Sequence, residues 1–166
     1  MIALHRRSVL AAAFAFGAGA PAFAQTRPQP KPGQTVQIDG KTVHLATADP
    51  GWRLLNSAKV TTDRRRGVML AAFPDPLKAQ DGKTLAIGGF IVPVVAEPRF
   101  DRFLLTKTNY ACGFCPPPLP TEVIEVKLAR QKIKATLDEI RVRGRLELIG
   151  SSADSVFYRL HDAAVV

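Results

Sequence analysis

One strand-length segment governs how this chain can fold. Lys83 to Val95 places Leu85, Ile87, Gly89 and Ile91 on one face and Ala86, Gly88, Phe90 and Val92 on the other. A strand apolar on both faces lies centrally in a covered sheet or curls round a barrel. Gly88-Gly89 gives it a place to bend, and Pro93 ends its regular pairing. Four more strand patterns follow. Phe100 to Thr108 is the next. Glu122 to Leu128 alternates, with Ile124, Val126 and Leu128 against Glu125 and Lys127. Glu139 to Ile149 turns Val142, Gly144, Leu146 and Leu148 inward and Arg141, Arg143, Arg145 and Glu147 outward. Val156 to Ala163 opposes Val156, Tyr158 and Leu160 to Phe157, Arg159 and His161. Five curled antiparallel strands with glycine bends predict a mainly β domain, a small barrel of the OB type. A β-sandwich is the alternative.

Upstream, Thr35 to Ile38 and Thr42 to Leu45 flank Asp39-Gly40, which predicts an extra hairpin. Asp49-Pro50 opens one short helix, with Asp49 as cap and Pro50 at the first helical position. Trp52, the only tryptophan, is expected to anchor that helix on the sheet. Arg64-Arg65-Arg66 reads as an exposed turn, with contact to lipid headgroups as a second reading. Val68 to Phe73 is apolar without a clear period, and Pro74 and Pro76 stop it. Asp-Gly-Lys-Thr occurs at 39 to 42 and again at 81 to 84, as repeated turn chemistry between unlike flanks.

The N-terminus reads as an export signal. His5, Arg6 and Arg7 precede an apolar run from Val9 to Ala20, too short to span a bilayer, and Ala22-Phe23-Ala24 offers a cleavage site. The adjacent arginines resemble a twin-arginine signal, with an ordinary secretory signal as the alternative. The expected division is therefore residues 1–24 as a cleaved signal, 25–34 as a solvated proline-rich linker, and 35–166 as a single β domain. Losing residues 1–24 removes Arg6 and Arg7 and no acid, so the formal charge falls from +9 to +7. Export implies a periplasmic setting, where cysteines are more often bridged than free. There the partners of a basic surface are anionic headgroups or acidic proteins, not nucleic acid.

The stretch richest in chemistry runs from Asn109 to Pro120 and holds both cysteines. Three readings of Cys112-Gly113-Phe114-Cys115 stand side by side. A disulfide would fix local shape, since closing a four-residue loop is worth only about 2 kcal/mol. A thiol-disulfide site needs its first cysteine at a helix N-terminus, and Pro116, Pro117 and Pro118 disfavour a helix there. A Zn²⁺ or Cu(I) site would use the two thiolates and lacks a full ligand set, with His44 and His161 as weak additional candidates. The bland reading of both histidines is a surface or half-buried strand residue. Tyr110, Phe114 and Leu119 offer apolar surface on a loop that Pro116, Pro117 and Pro118 stiffen, which suits recognition of a partner.

Other enzyme signatures fail. Gly82-Lys83-Thr84 resembles the end of a P-loop, but Leu77 stands where the first glycine is required. The Arg141, Arg143, Arg145 stripe lacks interleaved stacking aromatics, so a solvated outer face is preferred to a nucleic-acid face.

Trp52 with Leu55, Phe73-Pro74, Asp81-Gly82-Lys83, Ile87-x-Gly89-Phe90-Ile91-Val92-Pro93, Phe103-Leu104-Leu105 and Cys112-x-x-Cys115-Pro116-Pro117-Pro118 occur in this order. In that order, over residues 50 to 150, the chain resembles domain-of-unknown-function family 3299. The resemblance implies an OB-like β fold in an exported setting. It also implies a place near ABC-transporter or metal-uptake components. The family loop carries a histidine before the second cysteine and Asn-Gln after the prolines. Here Phe114 and Thr121-Glu122 stand there, which removes the best third metal ligand. The expectation is a non-enzymatic exported binding or accessory module without a cofactor, recognising an envelope protein such as a transporter component. Metal binding or redox chemistry at Cys112 and Cys115 is the alternative.

Overall fold

The computed structural model describes residues 28–111 and 116–166. The first hairpin pairs β1 (Thr35–Ile38) with β2 (Lys41–His44). Its turn residues Asp39 and Gly40 have φ of 50° and 76°, the positive values a tight two-residue hairpin requires. Helix α1 (Gly51–Leu55) follows. It starts one residue later than predicted: Pro50 is the cap, and Asp49 reaches past it to accept the Gly51 N–H at 2.8 Å.

A second hairpin, β3 (Lys59–Asp63) and β4 (Val68–Ala72), settles the segment that showed no period. Most of β4 is half-buried, so neither face gives a clean alternation. Helix α2 (Asp75–Lys78) was not expected. Pro74 caps it and Pro76 sits in its first turn, where a missing N–H costs nothing. The prolines that end β4 therefore begin a helix.

The barrel is built from β5 (Thr84–Pro93), β6 (Arg102–Thr106), β7 (Val123–Leu128), β8 (Ile140–Leu148) and β10 (Tyr158–Val165). The two-residue β9 (Ser151–Ser152) leaves the barrel to join β4 in a three-stranded sheet. The barrel closes in the order β10-β7-β6-β5-β8. Counted along the chain, its strands run first, second, third, fifth, fourth, and back to the first, which is the OB arrangement. One pair departs from the antiparallel expectation: β10 runs parallel to β7. A fifth strand that closes on both the third and the fourth must be parallel to one of them.

The core is one cluster inside the barrel and under α1. Trp52 is buried, and its indole Nε1 donates to the Gly88 carbonyl at 2.7 Å. The Tyr158 hydroxyl, also buried, donates to the Leu55 carbonyl at 2.6 Å. These two bonds fasten α1 across one end of the barrel, and burial pushes the Tyr158 phenol far above its usual range. Phe157 and Tyr158 are both buried although the alternation sets them on opposite faces, because Phe157 lies before β10 begins. Within the described part of the proline-rich segment, hydrogen bonds to the domain begin at Gln29. Gln34 accepts the Leu45 N–H at 2.9 Å, and Gln29 Nε2 donates to the Pro117 carbonyl at 3.1 Å. The export-signal residues 1–24 lie outside the described residues. Among those described, no helix is long and apolar enough to cross a membrane.

Candidate functional site

The cysteine-proline loop joins β6 to β7. Cys112, Gly113, Phe114 and Cys115 lie outside the described residues, but both shoulders of the loop are within them. Each shoulder is a buried polar residue in a position to make several bonds.

Asn109 holds the incoming side. Its Nδ2 donates to the carbonyls of His44 at 3.0 Å and Leu137 at 2.8 Å, while its Oδ1 accepts the Ala111 N–H at 3.0 Å. Its own N–H reaches the Leu45 carbonyl at 2.8 Å. One side chain thus ties the loop to the first hairpin and to the segment before β8. Glu122 holds the outgoing side. Its Oε1 takes the Lys107 ammonium at 2.6 Å, and its Oε2 accepts the Leu119 N–H at 3.3 Å. The Glu122 N–H returns to the Leu119 carbonyl at 2.8 Å. Lys107 lies at the other end of the loop, so this ion pair clasps the two ends together. A buried carboxylate is tolerated only when paired and hydrogen-bonded in this way.

Between the shoulders the loop presents apolar surface. Tyr110 is 60% exposed and Leu119 is 53% exposed. Tyr110 stands between two open cavities. One, of about 400 Å³, is formed by Ile91, Val92 and Pro93 of β5 together with Asn109, Tyr110 and Leu137. It borders the half of β5 that lies beyond Gly89, where the pairing with β8 ends. The other, of about 210 Å³, has Pro117, Pro118 and Pro120 on one side and Leu104 and Val156 on the other. Pro117 and Pro118 therefore form a wall, while Pro116 and Leu119 continue the same segment outside that lining.

The remaining sequence candidates lie elsewhere. His44 is exposed on β2, and its backbone carbonyl, not its ring, meets Asn109. His161 is on the outer face of β10 with Nε2 at 2.6 Å from Glu147 Oε2. Neither histidine lines the two cavities beside the loop. Among the described residues no group of three or more metal-ligating side chains is gathered. Arg64, Arg65 and Arg66 form the exposed β3–β4 turn, where Asp63 Oδ1 accepts the N–H groups of Arg65 and Arg66. Trp52 belongs to the core and lines neither cavity beside the loop.

Sequence reasoning assigned no role to Asn109 or Glu122. The available signal was their placement, a polar residue at each end of a proline-rich loop where strand alternation begins or stops.

A family model described as a protein of unknown function, DUF3299, matches residues 55–165. A crystal structure of a DUF3299 family protein from Pseudomonas aeruginosa PAO1 is 24% identical, covers 58% of this chain and 67% of its own, and superposes with a TM-score of 0.43. No curated protein matches the chain.

Proposed function

The chain belongs to the DUF3299 family of proteins of unknown function, and we propose that this member is a non-enzymatic, exported binding module. Its recognition element is the cysteine-proline loop, and its partner is another protein of the cell envelope, such as a transporter component. The observation that supports this is the placement of exposed Tyr110 between two apolar-walled cavities on a loop clasped at both ends. A clasped, proline-walled loop loses little further entropy when a partner covers it. The Arg64-Arg65-Arg66 turn is free to meet anionic headgroups as a secondary contact.

A photoreactive residue at position 110 tests the reading in envelope extracts. The expected result is a discrete adduct that Leu119→Ala and Phe114→Ala weaken. The same reactive group at Val95, an exposed apolar residue that lines neither cavity, should give none. Adducts indistinguishable between the two positions would overturn the recognition role. Anaerobic purification with elemental analysis and thiol counting tests the same loop from another side. Stoichiometric zinc or copper on Cys112 and Cys115, or turnover of a dithiol, would replace recognition by metal or redox chemistry.

A further inference from the structure

The outward row of β8 carries Arg141, Arg143 and Arg145 at every second position, so all three point the same way. Arg141 Nη1 lies 2.6 Å from Asp49 Oδ2, and Arg145 Nη2 lies 3.5 Å from Asp162 Oδ2. Glu147, the fourth member of the row, meets His161 and Arg159. Arg143 differs. Its cross-strand neighbours are Ala86 on β5 and Ala164 on β10. Among the described residues no carboxylate lies within ion-pair distance of it. Opposed charges are the favourable cross-strand partners of arginine, and two alanines leave its guanidinium uncompensated.

An open concavity of about 410 Å³ lies at this place, with Thr84, Arg143, Arg145, Asp162 and Ala164 among its walls. A backbone irregularity shapes it. The pairing of β10 with β8 passes from His161↔Arg145 directly to Ala164↔Arg143, so Asp162 and Ala163 together oppose Gly144. This is a β-bulge, a device that re-aims side chains. Asp162 takes a φ of 52° and turns out to 77% exposure of its side chain, while Ala163 turns into the core. A Cβ on Gly144 would lie 2.9 Å from both Ala163 Cβ and the His161 carbonyl oxygen, so the bulge requires glycine opposite it.

We propose that this concavity is a binding site for an oxyanion group of the phosphate class. Arg143 is the principal donor, because its planar fork matches two oxygens of a phosphate and has no competing partner. Arg145 is the second donor, and Thr84, directly across the ladder from Arg145, brings a hydroxyl. Asp162 holds Arg145 in place, and its own charge opposes the anion, so affinity is limited by the same residue that orders the site.

The probe is inorganic phosphate, titrated into the ¹⁵N-labelled protein at low and matched ionic strength against chloride. The expected result is saturable shifts of the Gly144, Arg145 and Ala163 amides. Arg143→Ala should weaken binding about tenfold, the scale of a charge-assisted hydrogen bond. Arg143→Lys should weaken it less, and Asp162→Asn should strengthen it. Flotation with phosphatidylglycerol and phosphatidylcholine vesicles identifies the source. Arg143-dependent capture by the anionic vesicles means a lipid-borne phosphate, and its absence beside an intact titration means a soluble phosphate ester. Shifts that do not saturate, or that are equal in the wild type and Arg143→Ala, overturn the proposal. If Arg143→Ala fails to fold, the opposed effects of Arg143→Lys and Asp162→Asn decide the matter alone.

Discussion

Glu125 sits on the barrel wall between two guanidiniums. Its Oε2 accepts from Arg159 Nε at 2.6 Å and its Oε1 accepts from Arg102. Burial pushes the carboxyl up, but the hydrogen bonds from Arg159 and Arg102 outweigh that and hold it below the usual carboxylate range. A carboxyl whose folded-state pKa lies below its unfolded value binds protons more readily in the unfolded chain. Its contribution to stability is therefore complete above about pH 5 and fades as the pH falls through the folded-state value. Urea midpoints of the wild type and Glu125→Gln, measured from pH 2 to 7, should differ by a constant amount above about pH 5 and converge in acid. A difference that stays the same down to pH 2 would show that Glu125 acts by shape rather than charge. The alternation of β7 made Glu125 legible as an outward residue. Its two arginines were not legible as partners, because they come from strands 23 and 34 residues away. The same distance hid the loop clasp: Asn109 reaches His44 across 65 residues and Leu137 across 28.

At the scale of the element, β5 shows what local pattern can and cannot reveal. Its two apolar faces and its Gly88-Gly89 bend predicted a curled strand, and the strand does close a barrel. The two glycines are not equivalent, however, and only packing shows it. A Cβ on Gly88 would meet Glu139 Oε1 at 2.5 Å, a side-chain end that can shift at the expense of its one hydrogen bond, from the Thr47 hydroxyl. A Cβ on Gly89 would meet the Thr106 backbone oxygen at 2.7 Å and Leu105 Cγ at 2.9 Å, inside the β5–β6 ladder. Gly89→Ala should therefore destabilise by about 1–3 kcal/mol, the usual scale of overpacking, and by more than Gly88→Ala. Guanidinium midpoints of the two variants check the order, and a reversed order would mean that the Glu139 carboxylate is held more rigidly than the strand. The elements that went unread share one cause. The two-residue β9 has no period to detect, β4 is half-buried along most of its length, and the parallel pairing of β10 with β7 is a choice between distant partners. None of these is written within a window of ten residues.

At the scale of the molecule, the barrel depends on a helix that precedes it. The link between the third and fourth barrel strands, residues 129–139, contains no helix, and α1 is the element fastened to the barrel core by Trp52 and Tyr158. Trp52 and Leu55 of α1 are buried in the same cluster as Ile87, Leu146 and Tyr158. The bonds from Trp52 Nε1 to Gly88 and from Tyr158 to Leu55 run in opposite senses, one from helix to barrel and one from barrel to helix. Removing α1 would uncover that apolar end and leave the Gly88 carbonyl and the Tyr158 hydroxyl without these partners. Each hydrogen bond exchanged for water in this way is worth about 0.5–1.5 kcal/mol net, and burying a tryptophan and a leucine contributes a few kcal/mol more. Against a typical total of about 5–15 kcal/mol for a domain, that loss is decisive. A chain beginning at residue 80 contains all five barrel strands, yet it should lose its near-ultraviolet dichroism, bind a hydrophobic dye and show no cooperative thermal transition. If it melts cooperatively with native-like aromatic signals, the barrel is autonomous and α1 is an accessory. The milder variant Trp52→Phe separates the two contributions. It keeps most of the apolar area, gives up the bond to Gly88, and should melt cooperatively at a lower temperature than the intact protein.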